Sequence, residues 1–101
     1  MPEKEFFIYL DNAVILVWRH TEQGELTDFR VVLLAEIDGK MCCIARYDTA
    51  HGFAHRDILG KKAGILAKEP FLGLSKKEVA DYAIKDFKAN AENYIRFFQK
   101  N

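Results

Sequence analysis

The first half of the chain consists of short apolar runs separated by turn sequences, and this pattern constrains the fold more than any other feature. Runs rich in β-branched and aromatic residues occupy positions 6–10, 13–20, 29–37 and 41–48. Asp38-Gly39 joins the last two runs, and this dipeptide is favoured in tight hairpin turns because it tolerates positive φ angles. We therefore predict a four-stranded antiparallel meander from about residue 5 to residue 48.

The last quarter of the chain has the pattern of an amphipathic helix. Ser75 and Glu78 have the spacing of a capping box, in which two side chains satisfy the first backbone amides. Apolar residues then recur at helical spacing: Val79, Ala83, Phe87, Tyr94 and Phe98. We predict a helix from about residue 75 to 99 that packs on the sheet, preceded by a long, glycine-containing loop over residues 49–74. The whole chain, residues 1–101, is then a single α+β domain.

Composition excludes several classes of protein. Lys plus Arg equals Asp plus Glu at 15 each, so the chain lacks the overall basic character of many nucleic-acid binders. No apolar run approaches the roughly 20 residues of a membrane-spanning helix, and the N-terminus lacks the pattern of a signal peptide. Cys42 and Cys43 are adjacent and offer no disulfide framework, which is typical of a reducing compartment. We expect a cytoplasmic protein without membrane contact, and a homodimer formed through a second apolar face of the sheet.

Residues 46–57 contain the highest density of reactive side chains. This segment holds two arginines, two histidines and two aspartates at the end of the fourth predicted strand. The alternation of side chains along a strand predicts that Arg46 and Asp48 share one face with Cys42, whereas Cys43 points to the other. The segment is therefore the predicted functional site, since working residues often lie where a rigid element meets a loop.

These residue types suit the cleavage of an RNA phosphodiester bond without a metal or cofactor. Two histidines, His51 and His55, can divide the roles of general base and general acid near neutral pH. Asp48 would orient an imidazole, and Arg46 would contact the phosphate. Further substrate contacts are predicted from two nearby cations: Arg56 and Lys61.

Three other interpretations stay open at the level of sequence. His51 and His55, together with Asp48 or Asp57, also resemble a small nitrogen and oxygen metal site. A non-enzymatic module could use the same segment to bind a small ligand or a protein partner. The groups can also have a purely structural role, with Arg46 and Asp48 forming an ion pair.

The segment also resembles a known group of small prokaryotic proteins of uncharacterised families. Arg46-Tyr47-Asp48 followed by His51 is similar to the TumE-type toxins of toxin–antitoxin pairs, in which an Arg-Tyr-Asp segment precedes paired histidines. This chain differs because Gly52 stands where the second histidine is expected, and the next histidine is His55. The resemblance covers roughly residues 29–87. It implies a ribonuclease-like toxin that acts on RNA and has a cognate antitoxin protein as its partner.

Overall fold

The protein is a six-stranded antiparallel sheet with one C-terminal helix. A computed structural model describes residues 3–50 and 52–101. Its elements are β1 (Glu3–Tyr9), β2 (Val14–Glu22), β3 (Glu25–Ile37), β4 (Lys40–Asp48), β5 (His55–Gly60), β6 (Gly64–Pro70) and α1 (Lys76–Lys100). The strands lie in the sheet in chain order, so each strand pairs with its neighbours in sequence. The predicted α+β class is confirmed.

The predicted count of four strands is wrong, because residues 55–70 form two further strands instead of part of a long loop. β5 extends the sheet by pairing with β4, with His55 opposite Asp48 and Asp57 opposite Arg46. β6 then pairs with β5 and forms the edge of the sheet. The sequence of β5 lacks a clear alternation of apolar and polar residues, because it contains several charged side chains. These side chains find their partners only on neighbouring strands of the folded sheet.

Tight turns set the register of the first strands. Asp38 and Gly39 have φ angles of 52° and 81°, which confirms the predicted hairpin turn between β3 and β4. Gln23 and Gly24 form a similar turn, with φ angles of 51° and 82°. This turn places the end of β2 at Glu22 and the start of β3 at Glu25.

The hydrophobic core lies between α1 and one face of the sheet. The helix packs on β3, β4 and β5. Its start is as predicted, because the Ser75 side chain accepts a hydrogen bond from the Glu78 amide and the Glu78 side chain accepts one from the Ser75 amide. Residues of β3 and α1 are almost fully buried in this layer: Phe29, Val31, Leu33, Val79, Ala83 and Phe87. Burial of their apolar surface supplies the main stabilisation, at about 25 cal/mol per Å².

We call the sheet face opposite the helix the outer face. Two rows of cross-strand neighbours run across it. One row is Phe7, Leu16, Val32, Arg46, Asp57 and Lys68, and the next is Glu5, Trp18, Arg30, Asp48, His55 and Pro70. The face therefore changes from largely apolar near β1 to polar near β6. Phe7 and Tyr9 are exposed at its apolar end, and association into a homodimer through this face stays a prediction.

Within the part of the chain that the structure describes, no helix has both the length and the apolar composition needed to cross a membrane.

Candidate functional site

Five polar side chains converge at the β6 end of the outer face. β4 contributes Arg46 and Asp48, β5 contributes His55 and Asp57, and β6 contributes Lys68. Because the three strands are antiparallel neighbours, Asp48 lies opposite His55, and Arg46, Asp57 and Lys68 lie in one cross-strand row. We call these five residues the outer network.

The imidazole of His55 lies between two carboxylates. Its Nε2 atom is 3.0 Å from Oδ1 of Asp48 and 3.7 Å from Oδ1 of Asp57. Its Nδ1 atom is 3.4 Å from the carbonyl oxygen of Phe53. His55 and Asp57 are each only 1% exposed, so these contacts lie in a largely water-excluded environment. Electrostatic interactions are stronger there than at the protein surface.

Two cations cover the carboxylates. Arg46 Nε donates a 2.9 Å hydrogen bond to Oδ2 of Asp57 and lies 3.8 Å from Oδ2 of Asp48. Lys68 Nζ is 3.1 Å from Oδ1 of Asp57 and 3.4 Å from Nε2 of His55. The Arg46 and Lys68 side chains are 33% and 44% exposed, so the network reaches solvent through its cationic groups.

The carboxyl group of Asp57 is held in its ionised form. Burial acts to raise its pKa, but the hydrogen bond from Arg46 and the positive charges of Arg46 and Lys68 outweigh this effect and lower the pKa below its ordinary value. The Lys68 ammonium makes its contact with Oδ1 as an ion pair without the geometry of a hydrogen bond. Among the described residues, this buried oxygen receives no hydrogen bond.

A β-bulge changes which cysteine lies beside the network. Leu33 pairs with Ala45 but Leu34 pairs with Cys43, so one extra residue of β4 is accommodated between them. The prediction that Cys42 shares the face of Arg46 is therefore wrong, because Cys42 packs against the hydrophobic core. Burial raises the pKa of the Cys43 thiol despite the opposing charge of Arg46, so the thiol is protonated at neutral pH.

The structure brings together only part of the predicted site. Arg46, Asp48 and His55 lie in the outer network, whereas His51 lies outside the described residues. Arg56 points to the opposite face of the sheet, and Lys61 forms an ion pair with Asp38. These two cations are thus separated from the group with which the sequence associated them.

Lys68 is the network residue that sequence reasoning missed. Its position opposite Asp57 depends on the pairing of β6 with β5, and both strands lie in the segment that was predicted to be a loop. β6 is also hard to recognise from the sequence, because most of the strand is exposed and has no buried apolar face. Its two sets of alternate residues are therefore both of mixed polarity: Ile65, Ala67 and Glu69 on one side, Leu66 and Lys68 on the other. Recognition of β5 as a strand was the missing step.

The whole sequence matches a known protein family. The model of a domain of unknown function, DUF7718, covers residues 1–101. The chain belongs to the DUF7718 family. No curated protein and no solved structure matches it. The function of this DUF7718 domain must therefore be argued from the chemistry of its side chains.

A second polar network lies on the helix side of the sheet, centred on Asp86. Oδ2 of Asp86 accepts a 2.6 Å hydrogen bond from the Tyr47 hydroxyl and another from the Tyr94 hydroxyl. Burial and the bond to Asp86 raise the pKa of Tyr94 to about 12. Arg56 donates to the Tyr94 hydroxyl at 2.9 Å, and Asn90 donates to Oδ1 of Asp86 at 2.8 Å. The charge of Asp86 is thus satisfied within the fold, which indicates a structural role for this inner network.

Proposed function

We propose that the protein cleaves RNA phosphodiester bonds at the outer network, with His55 as a proton-transfer group. The observation that carries the proposal is the 3.0 Å contact between His55 Nε2 and Asp48 beside two partly exposed cations, Arg46 and Lys68. A carboxylate beside an imidazole orients the ring and stabilises its protonated form. Cations at the same place stabilise the negative charge that develops on a phosphate in the transition state.

The reaction would use the RNA itself as the nucleophile. A base removes the proton of a ribose 2′-hydroxyl, and the oxygen attacks the adjacent phosphorus. The bond to the leaving 5′-oxygen breaks, and an acid protonates that oxygen, which leaves a 2′,3′-cyclic phosphate. His55 would carry one of these proton transfers, and His51 is the sequence-based prediction for the other. Arg46 and Lys68 would contact the non-bridging phosphate oxygens.

Access to His55 would depend on Lys68. Two exposed side chains adjoin the imidazole: Lys68, whose Nζ is 3.4 Å away, and Phe53, whose ring centroid is 6.0 Å away. A substrate phosphate would compete with Asp57 for the Lys68 ammonium. Movement of this flexible side chain toward the phosphate would uncover the buried ring without a change in the backbone.

The apolar half of the outer face offers a place for a nucleobase. Glu5, Leu16, Trp18 and Arg30 line a shallow cleft of 250 Å³. Trp18 belongs to the same cross-strand row as His55, three strand spacings away, or about 14 Å. Single-stranded RNA commonly stacks its bases on aromatic side chains of a sheet. The resemblance to TumE-type toxins agrees with an RNA substrate, and a cognate antitoxin would be expected to cover this face.

The proposal is tested by cleavage of an oligoribonucleotide by untagged protein in the presence of a chelator. His55→Gln should lower the rate at least about 100-fold, the usual contribution of general acid–base catalysis. His20→Gln is the matched control for proton transfer, because His20 bonds Thr27 outside the network; since its ring stacks on Trp18 at 6.4 Å, its RNA affinity is measured in parallel. Substrates with a single 2′-deoxynucleotide at the cleaved position should resist cleavage. Equal rates for the wild type and His55→Gln, with unfolding curves showing both folded, would overturn the proposal.

Binding can be measured separately from cleavage. Trp18 is the only tryptophan in the chain, so its fluorescence reports an RNA that lies across the outer face. With a non-cleavable 2′-deoxy oligonucleotide analogue, Arg46→Gln and Lys68→Gln should weaken binding. Lys77→Gln is the charge-matched control, because Lys77 is exposed on α1 and pairs with Asp81. A loss of affinity in the control as large as that in the network variants would contradict the assignment of the site.

A non-enzymatic binding module is the second candidate, and the burial of the network favours it. His55 and Asp57 are 1% exposed, and the charges of two carboxylates are matched by two cations. A network of this kind can hold the sheet edge in shape while the surrounding surface binds RNA or a protein. Binding of the oligonucleotide without any cleavage by the wild type would select this candidate.

A further inference from the structure

We propose that Asp48, His55 and Asp57 form a binding site for one divalent metal ion of the zinc class, which enters in place of the Lys68 ammonium. The site goes beyond the RNA cleavage proposed above and can be tested in the absence of RNA. Four observations support it: the spacing of the donor atoms, the carbonyl oxygen beside Nδ1 of His55, the Asp57 oxygen that receives no hydrogen bond among the described residues, and the position of Lys68.

The donor atoms already have nearly the spacing that a tetrahedral ion requires. One donor atom from each of the three residues lies within 4.8 Å of the others. His55 Nε2 is 3.0 Å from the Asp48 oxygen and 3.7 Å from the Asp57 oxygen. Zinc bonds of about 2.0–2.1 Å in tetrahedral geometry separate two ligands by about 3.3–3.4 Å. The two distances from His55 bracket this value, and the Asp48 and Asp57 oxygens, within 4.8 Å of each other, would close around the ion.

The surroundings of His55 suit a metal ligand. A metal-bound histidine usually donates its other ring N–H to a carboxylate or a backbone carbonyl, which fixes the tautomer. Nδ1 of His55 lies 3.4 Å from the carbonyl oxygen of Phe53, and this carbonyl would accept the Nδ1 proton. In the ion-free protein the 3.0 Å contact between Nε2 and Asp48 holds a proton, which a bound ion would displace so that Nε2 becomes a ligand. One imidazole and two carboxylates suit zinc and related transition metals, whereas magnesium prefers oxygen ligands alone.

Asp57 gives an independent indication that a cation belongs in the cluster. Its Oδ1 atom is buried and, among the described residues, receives no hydrogen bond. The Lys68 ammonium, 3.1 Å away, balances the charge of this oxygen without a hydrogen bond, so a lone pair of the oxygen is still available to a cation. The atom lies 3.7 Å from His55 Nε2, on the side of the carboxylate that faces the cluster. A bound ion would satisfy it directly.

The Lys68 ammonium marks the place of the ion. Nζ lies 3.1 Å from the Asp57 oxygen and 3.4 Å from His55 Nε2, so a positive charge already sits between two of the three donors. Lys68 is 44% exposed on the edge strand β6, and its flexible side chain can turn into solvent. With Lys68 turned away, two carboxylates and Arg46 leave one excess negative charge to attract the ion. Metal and ammonium therefore compete for one position.

Calorimetric titration of untagged, chelator-stripped protein with zinc ions tests the site. We expect binding of one ion per chain, which His55→Gln and Asp57→Asn should abolish. His20→Gln should bind as the wild type does, and so should the double variant Cys42→Ser/Cys43→Ser, which excludes thiol ligation. Unchanged zinc binding by folded His55→Gln or Asp57→Asn would overturn the proposal.

Lys68→Gln tests the site through a predicted increase in zinc affinity. Removal of the competing ammonium should tighten zinc binding about fivefold, because a partly exposed ion pair no longer has to be broken. Lys77→Gln, on the exposed side of α1, should leave the affinity unchanged. Failure of both the wild type and Lys68→Gln to bind zinc would overturn the proposal, as would equal affinity of the two proteins.

The consequence for RNA cleavage rests on the proposed function. A metal ion would occupy the Nε2 lone pair that the proton transfer needs, so zinc should inhibit cleavage in wild-type protein and do so at lower concentration in Lys68→Gln. Because binding is measured without RNA, zinc binding can succeed when cleavage is absent, and cleavage in chelator can occur when zinc does not bind. Undiminished cleavage by the zinc-saturated protein would overturn the inhibitory role of the ion.

Discussion

Substitution of Tyr47 by phenylalanine removes a buried hydroxyl of the inner network that donates to Asp86 and accepts a long, 3.4 Å hydrogen bond from Arg56. The Tyr47 side chain is fully buried, and its ring packs on Phe71, Tyr82 and Phe87 at centroid distances of 5.6, 6.1 and 5.3 Å. Phenylalanine keeps these contacts and removes only the hydroxyl, which donates a 2.6 Å hydrogen bond to Asp86. A hydrogen bond to a charged group contributes about 1.5–3 kcal/mol to stability.

The expected loss lies toward the lower end of this range. Asp86 keeps the hydrogen bonds from Tyr94 and Asn90, and Arg56 keeps its 2.9 Å bond to Tyr94. We therefore expect Tyr47→Phe to lower the free energy of unfolding by about 2 kcal/mol. For a domain of this size, that corresponds to a fall in Tm of about 8–16 °C.

Urea unfolding followed by circular dichroism measures the effect. Tyr82→Phe is the matched control, because the Tyr82 side chain is 49% exposed and packs on the same ring; its effect should stay within about 0.5 kcal/mol. In an Asp86→Ala background, Tyr47→Phe should cost much less, since the acceptor is gone. A wild-type stability for Tyr47→Phe, or an equal cost in both backgrounds, would refute the reasoning.

Three further predictions concern other parts of the fold. Ser75→Ala removes the helix N-cap and should lower the free energy of unfolding by about 1 kcal/mol in urea titrations, whereas no change would contradict the capping role. The lowered pKa of Asp57 means that its ionised form stabilises the fold above its ordinary pKa, and that this contribution is lost as the pH falls through the folded-state value. Acid unfolding curves should therefore show the stability advantage of the wild type over Asp57→Asn shrinking below about pH 4, and a constant difference would count against the ion pairs. A Cβ atom at Gly60 would lie 2.8 Å from the backbone of Asn101, so Gly60→Ala should cost about 1–3 kcal/mol and lower the Tm; an unchanged Tm would show that the contact yields freely.

The features that the sequence predicted correctly depend on neighbouring residues. The Asp38-Gly39 turn and the capping box at Ser75 each require only a few consecutive side chains, and both are present in the fold. The strands β5 and β6 could not be found in this way. Their polar residues are stabilised by partners on other strands. Such pairing leaves no alternation of apolar residues in the sequence from which a strand could be predicted.

The same distinction applies to the site. The shared face of Arg46 and Asp48 follows from strand alternation alone and is confirmed by their 3.8 Å contact. The contribution of Lys68 required the register of two strands that were not predicted. The bulge opposite Leu34 also lies beyond a local pattern, because it depends on how β3 and β4 pair.

Arg56 and Asp57 are consecutive residues that serve different networks, one beneath the helix and one on the outer face. A single-residue insertion just before Arg56 would therefore exchange their faces: Arg56 would lie opposite Arg46, and Asp57 would turn to the helix side, opposite Ala45. The same insertion in the 61–63 turn would leave both networks in place. Natural variants of this chain should therefore lack insertions at residues 55–57 and tolerate them at the 61–63 turn. The positions of insertions would then indicate which segments the two networks hold in register.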